Sequence, residues 1–202
     1  ARGSIARRLL VAAAAWSLAV LLAAGWSLDA LYRSETERRL EETISATILT
    51  LVTAVDSNEA GEIIYSDNAL PNDQRFGRTY SGMYWAFLVL GPENRVLRVD
   101  RSASFYDVEP EAPQAVVDLA VARPGAVQFA NGGGPDSSLL RYGLRAVRLP
   151  DRLNPVVLYV GIDRSAADEA VSRFGFRLGM ALGVLALGLV GGVLFLIRYG
   201  LL

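Results

Sequence analysis

The stretch RTYSGMYWAFLVL, Arg78 to Leu90, decides the fold of this chain. A turn signal, Ser81-Gly82, runs directly into Tyr84 to Leu90, an apolar segment of the composition found in buried strands. Gly91-Pro92-Glu93-Asn94 has the residues of a tight turn, and Arg95 to Arg101 supplies an antiparallel partner. The sequence therefore predicts a β-hairpin with one buried strand.

Further strand signals follow the hairpin, and one precedes it. A short strand is predicted at Glu62 to Tyr65, and a weakly periodic helix at Glu111 to Ala122. The later strands are predicted at Ala126 to Ala130, Leu139 to Leu149 and Pro155 to Ile162, with Asn131 to Asp136 as a flexible turn after the first of them. Helices grouped with antiparallel strands indicate an α+β domain with a central antiparallel sheet of about five strands.

Two apolar runs flank this domain. Leu9 to Leu28 and Leu178 to Ile197 are each 20 residues without a charged side chain, and each would cover about 30 Å as a helix. We expect transmembrane helices at residues 9–31 and 178–198, with a folded domain at 32–177. A cleaved signal peptide is the alternative for the first run, but its apolar core would normally be only about 7 to 15 residues long.

The positive residues predict the orientation. Arg2, Arg7 and Arg8 precede the first run without an acidic residue, and Arg198 follows the second, so residues 1–8 and 199–202 are placed in the cytoplasm. The domain between is then extracytoplasmic. The chain has no His and no Cys, and it has no phosphate loop and no basic stripe, so we expect neither catalysis nor nucleic-acid binding.

Residues 32–56 continue the first run with helical spacing. Leu40, Ile44, Ile48 and Leu51 form a narrow apolar seam on one side of this helix. The seam could pack on the domain's own sheet or on a second copy of the chain. The pattern begins close to the membrane, which favours a homodimer seam. In the second run, Gly179 with Gly183 and Gly188 with Gly192 form two G-x-x-x-G patterns that could let helices approach closely, although glycine is common in any span.

The aromatic residues of the opening stretch have two interpretations. Tyr84 and Trp85 could simply fill a core, because large aromatics bury much apolar area. Alternatively, Ser81, Tyr84, Trp85 and Arg101 could form an aromatic and cationic site for a small anionic ligand, or a surface for a partner protein.

An acidic group near the middle of the chain is a candidate cation site. Asp107, Glu109 and Glu111 offer carboxylate oxygens, which suit Ca²⁺ or Mg²⁺. Their i, i+2, i+4 spacing is broken by Pro110, and this is also typical of a solvated loop.

The chain resembles the input half of a bacterial two-component sensor histidine kinase with a PAS-like (PDC) periplasmic domain. The likeness lies in Arg75 to Trp85, which resembles the pattern RF..P.SGLYWQ with Thr79 for Pro and Ala86 for Gln, and in Asp100 to Ser104, which keeps part of a second element, RSRSL. The ending IRYGLL resembles the last turn of a span before a HAMP domain.

This resemblance implies a multi-pass protein of the bacterial inner membrane that acts as a homodimer and passes a periplasmic stimulus to cytoplasmic domains. We expect the chain to be a piece of a longer protein. Its missing part would bind ATP and Mg²⁺ and would contact a response regulator, whereas this part would bind membrane lipid and a small-molecule or protein ligand, with no cofactor. The alternatives are the input module of a chemoreceptor or diguanylate cyclase, and a non-sensing bitopic scaffold.

Overall fold

The computed structural model describes residues 2–59, 62–150 and 152–199. It divides into two compact units. The helical unit comprises Ala1–Thr36 and Ala167–Leu202, and the sheet unit comprises Glu37–Ala166. The two units are described in turn.

The described ranges contain three α-helices, seven strands and five short 3₁₀ helices. Helix α1 is Arg2–Ala54, α2 is Gln114–Ala122 and α3 is Ser165–Tyr199. The strands are β1 Val55–Ser57, β2 Ile63–Tyr65, β3 Met83–Leu90, β4 Val96–Arg101, β5 Gln128–Gly133, β6 Leu139–Val147 and β7 Val156–Asp163. Helix α1 runs without interruption from the first apolar run to the start of β1, and it contains no Pro, the residue that most often breaks a helix.

Five strands form one antiparallel sheet in the order β4-β3-β7-β6-β5. The predicted α+β fold with a five-stranded antiparallel sheet is thus confirmed. The opening hairpin β3–β4 lies at one edge, and β7, the last strand of the chain, pairs with β3 at the centre. Strands β1 and β2 form a separate two-stranded ribbon.

Two predicted boundaries were wrong. Strand β5 continues through Gly133, so Asn131 and Gly132 pair with Arg141 and Leu140 rather than forming a turn. Helix α2 begins at Gln114 instead of Glu111, because the residue before a proline disfavours helical backbone and Pro113 stands at the cap.

Alternating side chains give the sheet two buried faces. On the α1 face, the core consists of Met83, Trp85 and Phe87 of β3 with alternate residues of β7, packed against α1. On the α2 face, a second core packs against Val117 and Ala120 of α2. Its other buried residues are Tyr84, Ala86, Leu88, Leu90, Phe105, Leu140, Tyr142, Leu144, Ala146, Val157 and Tyr159. Both faces are covered, which explains why β3 and β7 read as nearly continuous apolar runs.

The seam on α1 belongs to the first of these cores, and the homodimer interpretation of it is corrected here. Ile44, Ile48 and Leu51 have no exposed surface in the single chain, and Leu40 packs at the border of the same cluster. Side chains that are already buried under their own sheet offer no surface to a second copy. The sequence pattern could not decide this, because the same spacing serves either partner.

Gly143 of β6 allows α1 to approach the sheet closely. A Cβ at this position would lie 2.6 Å from Ile44 Cγ2 and 3.2 Å from Ile48 Cδ1, distances that neither neighbour can accept without moving. The helix and the sheet are therefore in direct contact at this glycine.

In the helical unit, α1 and α3 are both long and apolar enough to cross a membrane. Their most apolar windows have mean hydropathies of 2.1 and 2.6, and only 6% and 0% of these windows is buried inside the protein. Core helices of soluble proteins bury such residues, whereas Trp26, Val184 and Leu187 are here largely exposed. The two helices therefore support a membrane protein.

Close contact between these helices occurs at Gly25, where an added Cβ would collide with Leu182. The G-x-x-x-G residues behave differently. At Gly179, Gly183, Gly188 and Gly192, an added Cβ would meet no atom of the described chain within 4 Å. They do not mediate the contact of α1 with α3, and packing of this stripe on a second copy stays a prediction.

Candidate functional site

A loop between β2 and β3 forms one wall of the candidate site. Within it, a 3₁₀ turn at Gln74–Gly77 is capped by Asp73, whose carboxylate accepts a hydrogen bond from the Arg75 backbone N–H at 2.9 Å. The Arg75 side chain also donates to this carboxylate at 2.7 Å, and these hydrogen bonds lower the pKa of Asp73. Phe76 is buried in the α1-face core and anchors the loop. The loop thus has a defined shape rather than the irregular one that its composition indicates.

The groove between this loop and the sheet has a volume of about 410 Å³. Trp85 of β3 and Arg101 and Ser102 at the end of β4 line one side of it, together with Tyr65 of β2. The loop lines the other side with both apolar and polar residues, which are Leu70, Pro71, Asn72, Asp73, Gln74, Phe76 and Gly77. Its size and its mixture of aromatic and hydrogen-bonding groups are those of small-molecule sites.

Trp85 forms the aromatic wall of the groove and belongs to the core at the same time. Its side chain is buried, with ring centroids 5.2 Å from Phe87 and 6.2 Å from Tyr65. Trp85 is therefore a core residue that also lines the groove, and ligand binding at this residue stays a prediction.

Arg101 lines the groove, but its guanidinium has another contact. Nη2 donates to the carbonyl oxygen of Tyr106 at 3.1 Å, and β4 pairs Arg101 with Ala86, a residue of the α2 face. In the part of the chain that the structure describes, no carboxylate lies within ion-pair distance of Arg101. The other polar residues that line the groove are Asn72, Asp73, Gln74 and Ser102, of which Asp73 is paired with Arg75 and Ser102 is buried.

Ser81 and Tyr84 do not line this groove. The Ser81 hydroxyl donates a hydrogen bond to the Arg75 carbonyl and so joins the two ends of this part of the loop. Tyr84 points to the α2 face, because successive strand side chains alternate, and its ring lies 4.8 Å from that of Phe105. Its hydroxyl accepts from the Gly82 N–H at 3.3 Å, and burial raises its pKa. Of the four predicted ligand residues, Trp85 and Arg101 line the groove, Tyr84 faces the other side of the sheet, and Ser81 lies in the loop before β3.

A pair of buried serines supports the floor of the groove. Ser102 Oγ accepts from the Trp85 N–H at 3.1 Å and lies 2.8 Å from Ser104 Oγ. The Ser104 carbonyl in turn accepts from the Tyr80 N–H. Sequence reasoning did not assign these hydroxyls, although both belong to the Asp100 to Ser104 element; their burial was the missing information.

The acidic group does not assemble into a cation site. Asp107 accepts a hydrogen bond from the Tyr80 hydroxyl, and this bond raises the pKa of Tyr80 to about 12. Glu111 accepts from the Gly133 N–H at 2.7 Å, whereas Glu109 lies exposed. Among the described residues, no group of three or more Asp or Glu is placed to hold a metal ion. Asp107 instead joins two loops, and Glu111 joins a loop to β5.

Arg141 was not foreseen and is the main polar link between α1 and the sheet. It lies on β6 and forms ion pairs with Glu41 and, at 3.7 Å, with Glu37 of the helix. It also donates to Asn131 Oδ1 at 3.2 Å, and its side chain is only 15% exposed. A single Arg in an alternating strand gives no sign in the sequence of which helix it will reach.

Two tyrosines on the α2 face are also unforeseen. The Tyr142 and Tyr159 rings stack at 5.2 Å, and within the described chain their buried hydroxyls have no hydrogen-bond partner. Gly161 makes room for them, since a Cβ there would lie 3.0 Å from the Tyr159 hydroxyl. Burial raises the pKa of Tyr159, so this hydroxyl stays protonated at physiological pH.

No family model, no curated protein and no solved structure matches this chain.

Proposed function

We propose that the chain is the signal-sensing region of a transmembrane receptor, the input half of a two-component sensor histidine kinase with a PAS-like (PDC) periplasmic domain. Ligand binding beside the sheet would change the position of the helices that cross the membrane. No chemistry is required of this region. ATP, Mg²⁺ and the response regulator would be bound by the kinase part of the protein.

One observation carries the proposal. Helix α1 contains both the first apolar run and the residues packed beneath the sheet, so the same helix contributes to the proposed membrane segment and to the core. The central strand β7 leads into α3 within two residues, and Asp163 caps that helix by accepting from the Ser165 N–H at 2.7 Å. A shift of the sheet would therefore act on both membrane helices.

The groove beside Trp85 is the proposed stimulus site. Tyr65 and Trp85 offer an aromatic surface, and the side-chain amides of Asn72 and Gln74 offer hydrogen bonds, which suits a small organic molecule with one apolar part. The ligand can shift the receptor only by its difference in affinity for the two arrangements of the helices.

The proposal is tested by joining the chain through Leu202 to the HAMP and kinase domains of a receptor whose output can be measured. Gln74→Trp would fill the groove, and Thr79→Trp in the same loop is the matched control, since Thr79 is exposed and does not line the groove. We expect a small molecule from a metabolite panel to change kinase output in the parent chimera and in Thr79→Trp, but not in Gln74→Trp.

A second pair of variants tests transmission. Arg141→Ala removes the ion pairs with Glu41 and Glu37, and we expect it to change the basal output even without ligand. Arg95→Ala, at an exposed site in the hairpin, is the control. A chimera that is expressed in the membrane, responds to nothing and ignores Arg141→Ala would contradict the sensor proposal and favour a scaffold.

The output domain is a separate question. A chemoreceptor or a diguanylate cyclase could follow the same input region. Sequencing the gene beyond Leu202 distinguishes these, because a histidine kinase requires a phosphoacceptor His and an ATP-binding domain.

A further inference from the structure

The helical unit has a small pocket of its own beside the polar ends of the two apolar runs. It has a volume of about 270 Å³ and is lined by Tyr32, Ala170, Arg173, Phe174 and Arg177. Tyr32 of α1 stacks on Phe174 of α3, with ring centroids 4.2 Å apart and planes 17° from parallel. These stacked rings form an aromatic floor between the two helices.

Two guanidinium groups border this floor. Arg173 and Arg177 are four residues apart on α3 and therefore project from the same side of the helix. The nearest acid to Arg173 is Glu169, whose carboxylate is 4.0 Å away in a pair that is mostly exposed to solvent. Such a pair contributes little and leaves the arginine available to a better partner.

One acid of α1, Asp29, lies close to this part of α3 and is paired through one of its oxygens. Asp29 Oδ2 accepts from Arg33 Nε at 2.7 Å, so its charge is balanced on its own helix. Asp29 Oδ1 is buried beside Gly175 and does not enter the set of residues that line the pocket.

The position of the pocket along the helices identifies the ligand chemistry. Arg177 immediately precedes the apolar run that begins at Leu178, and Tyr32 lies one turn beyond the end of the run that closes at Leu28. Aromatic residues and arginines at this level of a membrane helix lie among lipid headgroups. Arginine can donate two parallel hydrogen bonds to phosphate oxygens, a bidentate geometry that lysine cannot reproduce.

We propose that this pocket binds the phosphate of an anionic phospholipid, with Arg173 and Arg177 on the phosphate oxygens and the Tyr32–Phe174 pair beneath the glycerol. The inference rests on α1 and α3 lying in a membrane, but not on the sensor function. A bound lipid would join the two helices where they leave the bilayer. Free inorganic phosphate offers the same oxygens, and the experiment below separates the two sources.

The test uses the whole chain in nanodiscs of phosphatidylcholine with a minor fraction of phosphatidylglycerol. Native mass spectrometry then counts the phosphatidylglycerol molecules that remain on the protein after its release. We expect the parent chain to retain this lipid, and Arg173→Gln/Arg177→Gln to lose it by at least about tenfold. Arg38→Gln is the control, because Arg38 is an exposed arginine of α1 that pairs with Glu42 and does not line the pocket, and it should retain the lipid.

Arg177→Lys separates phosphate recognition from folding. Position 177 is exposed, and the substitution keeps the positive charge while removing the planar guanidinium group. We expect intermediate retention. Equal retention by the parent and the double variant would overturn the proposal. So would inorganic phosphate that displaces the lipid at millimolar concentration, because the pocket would then be a site for a soluble anion. Failure of the chimera to respond to any ligand would leave these outcomes unchanged, so the two proposals fail separately.

Discussion

At the scale of single residues, Trp85 and Arg101 should separate stability from recognition. Trp85 is buried in the α1-face core, so we expect Trp85→Ala to reduce the free energy of unfolding by about 3 to 5 kcal/mol. Arg101 is half-buried and makes one hydrogen bond to a carbonyl, so Arg101→Ala should be much milder. Thermal melts of the whole chain in detergent, followed by circular dichroism, provide the measurement. A stable Trp85→Ala chain beside an unfolded Arg101→Ala chain would reverse both assignments.

Tyr80 gives a pH dependence of known sign. Its pKa is raised to about 12 by the hydrogen bond that it donates to Asp107, so the folded state holds this proton more tightly than the unfolded state does. The stabilisation is complete below about pH 10 and is lost as the pH rises toward 12. Tyr80→Phe should therefore be less stable than the parent at pH 8, and the difference should shrink above pH 10.

The measurement for Tyr80 is the difference in melting temperature between parent and Tyr80→Phe at each pH. Tyr106→Phe is the control, because Tyr106 contacts Tyr80 ring to edge and shows no hydroxyl hydrogen bond among those described. A difference that stays constant from pH 8 to pH 12 would mean that the Tyr80 hydroxyl does not carry the stabilisation.

At the scale of elements, the contact between α1 and β6 depends on Gly143. Gly143→Val would place its side chain against Ile44 and Ile48, and overpacking of this kind costs about 1 to 3 kcal/mol. Gly77→Ala is the matched control, since a Cβ at Gly77 meets nothing within 4 Å. The melting temperature of the whole chain should fall for Gly143→Val and should change little for Gly77→Ala. An unchanged Gly143→Val chain would show that α1 does not press on the sheet.

The same contact shows how far the sequence alone could lead. The strands were predictable because β3 and β7 are apolar along their whole length, and α1 was predictable because its apolar spacing is helical. The partner of the helix was not predictable, since Ile44 and Ile48 would present the same spacing to a second copy. The close approach of α1 to β6 at Gly143 depends on two elements that lie about 100 residues apart in the sequence, so no local sequence pattern predicts it.

The candidate site was only half predictable for a related reason. Trp85 was assigned to a site from its place after a turn, and it does line the groove. Tyr84 was grouped with it because the two are adjacent, yet adjacent residues of a strand face opposite sides. Arg141 escaped notice because its partners, Glu37 and Glu41, lie far away in the sequence.

At the scale of the whole molecule, the proposed topology rests on the exposed apolar surface of α1 and α3 and on the arginines at residues 1–8.

The chain contains no Cys, so single cysteines can be introduced as reporters without labelling of native thiols. Asp136→Cys lies in an exposed turn between β5 and β6, and Ala6→Cys precedes the first apolar run. In intact cells, an impermeant thiol reagent should label only position 136, because charged loops as long as residues 32–177 are placed outside when the arginines before the first span stay inside. After the cells are permeabilised, both positions should react, which controls for buried or oxidised thiols. Labelling of position 6 alone in intact cells would invert the topology and place the sheet unit in the cytoplasm, where a periplasmic stimulus could not reach the groove. Labelling of neither would mean that the two positions are not on opposite sides of a membrane, and would contradict the first span.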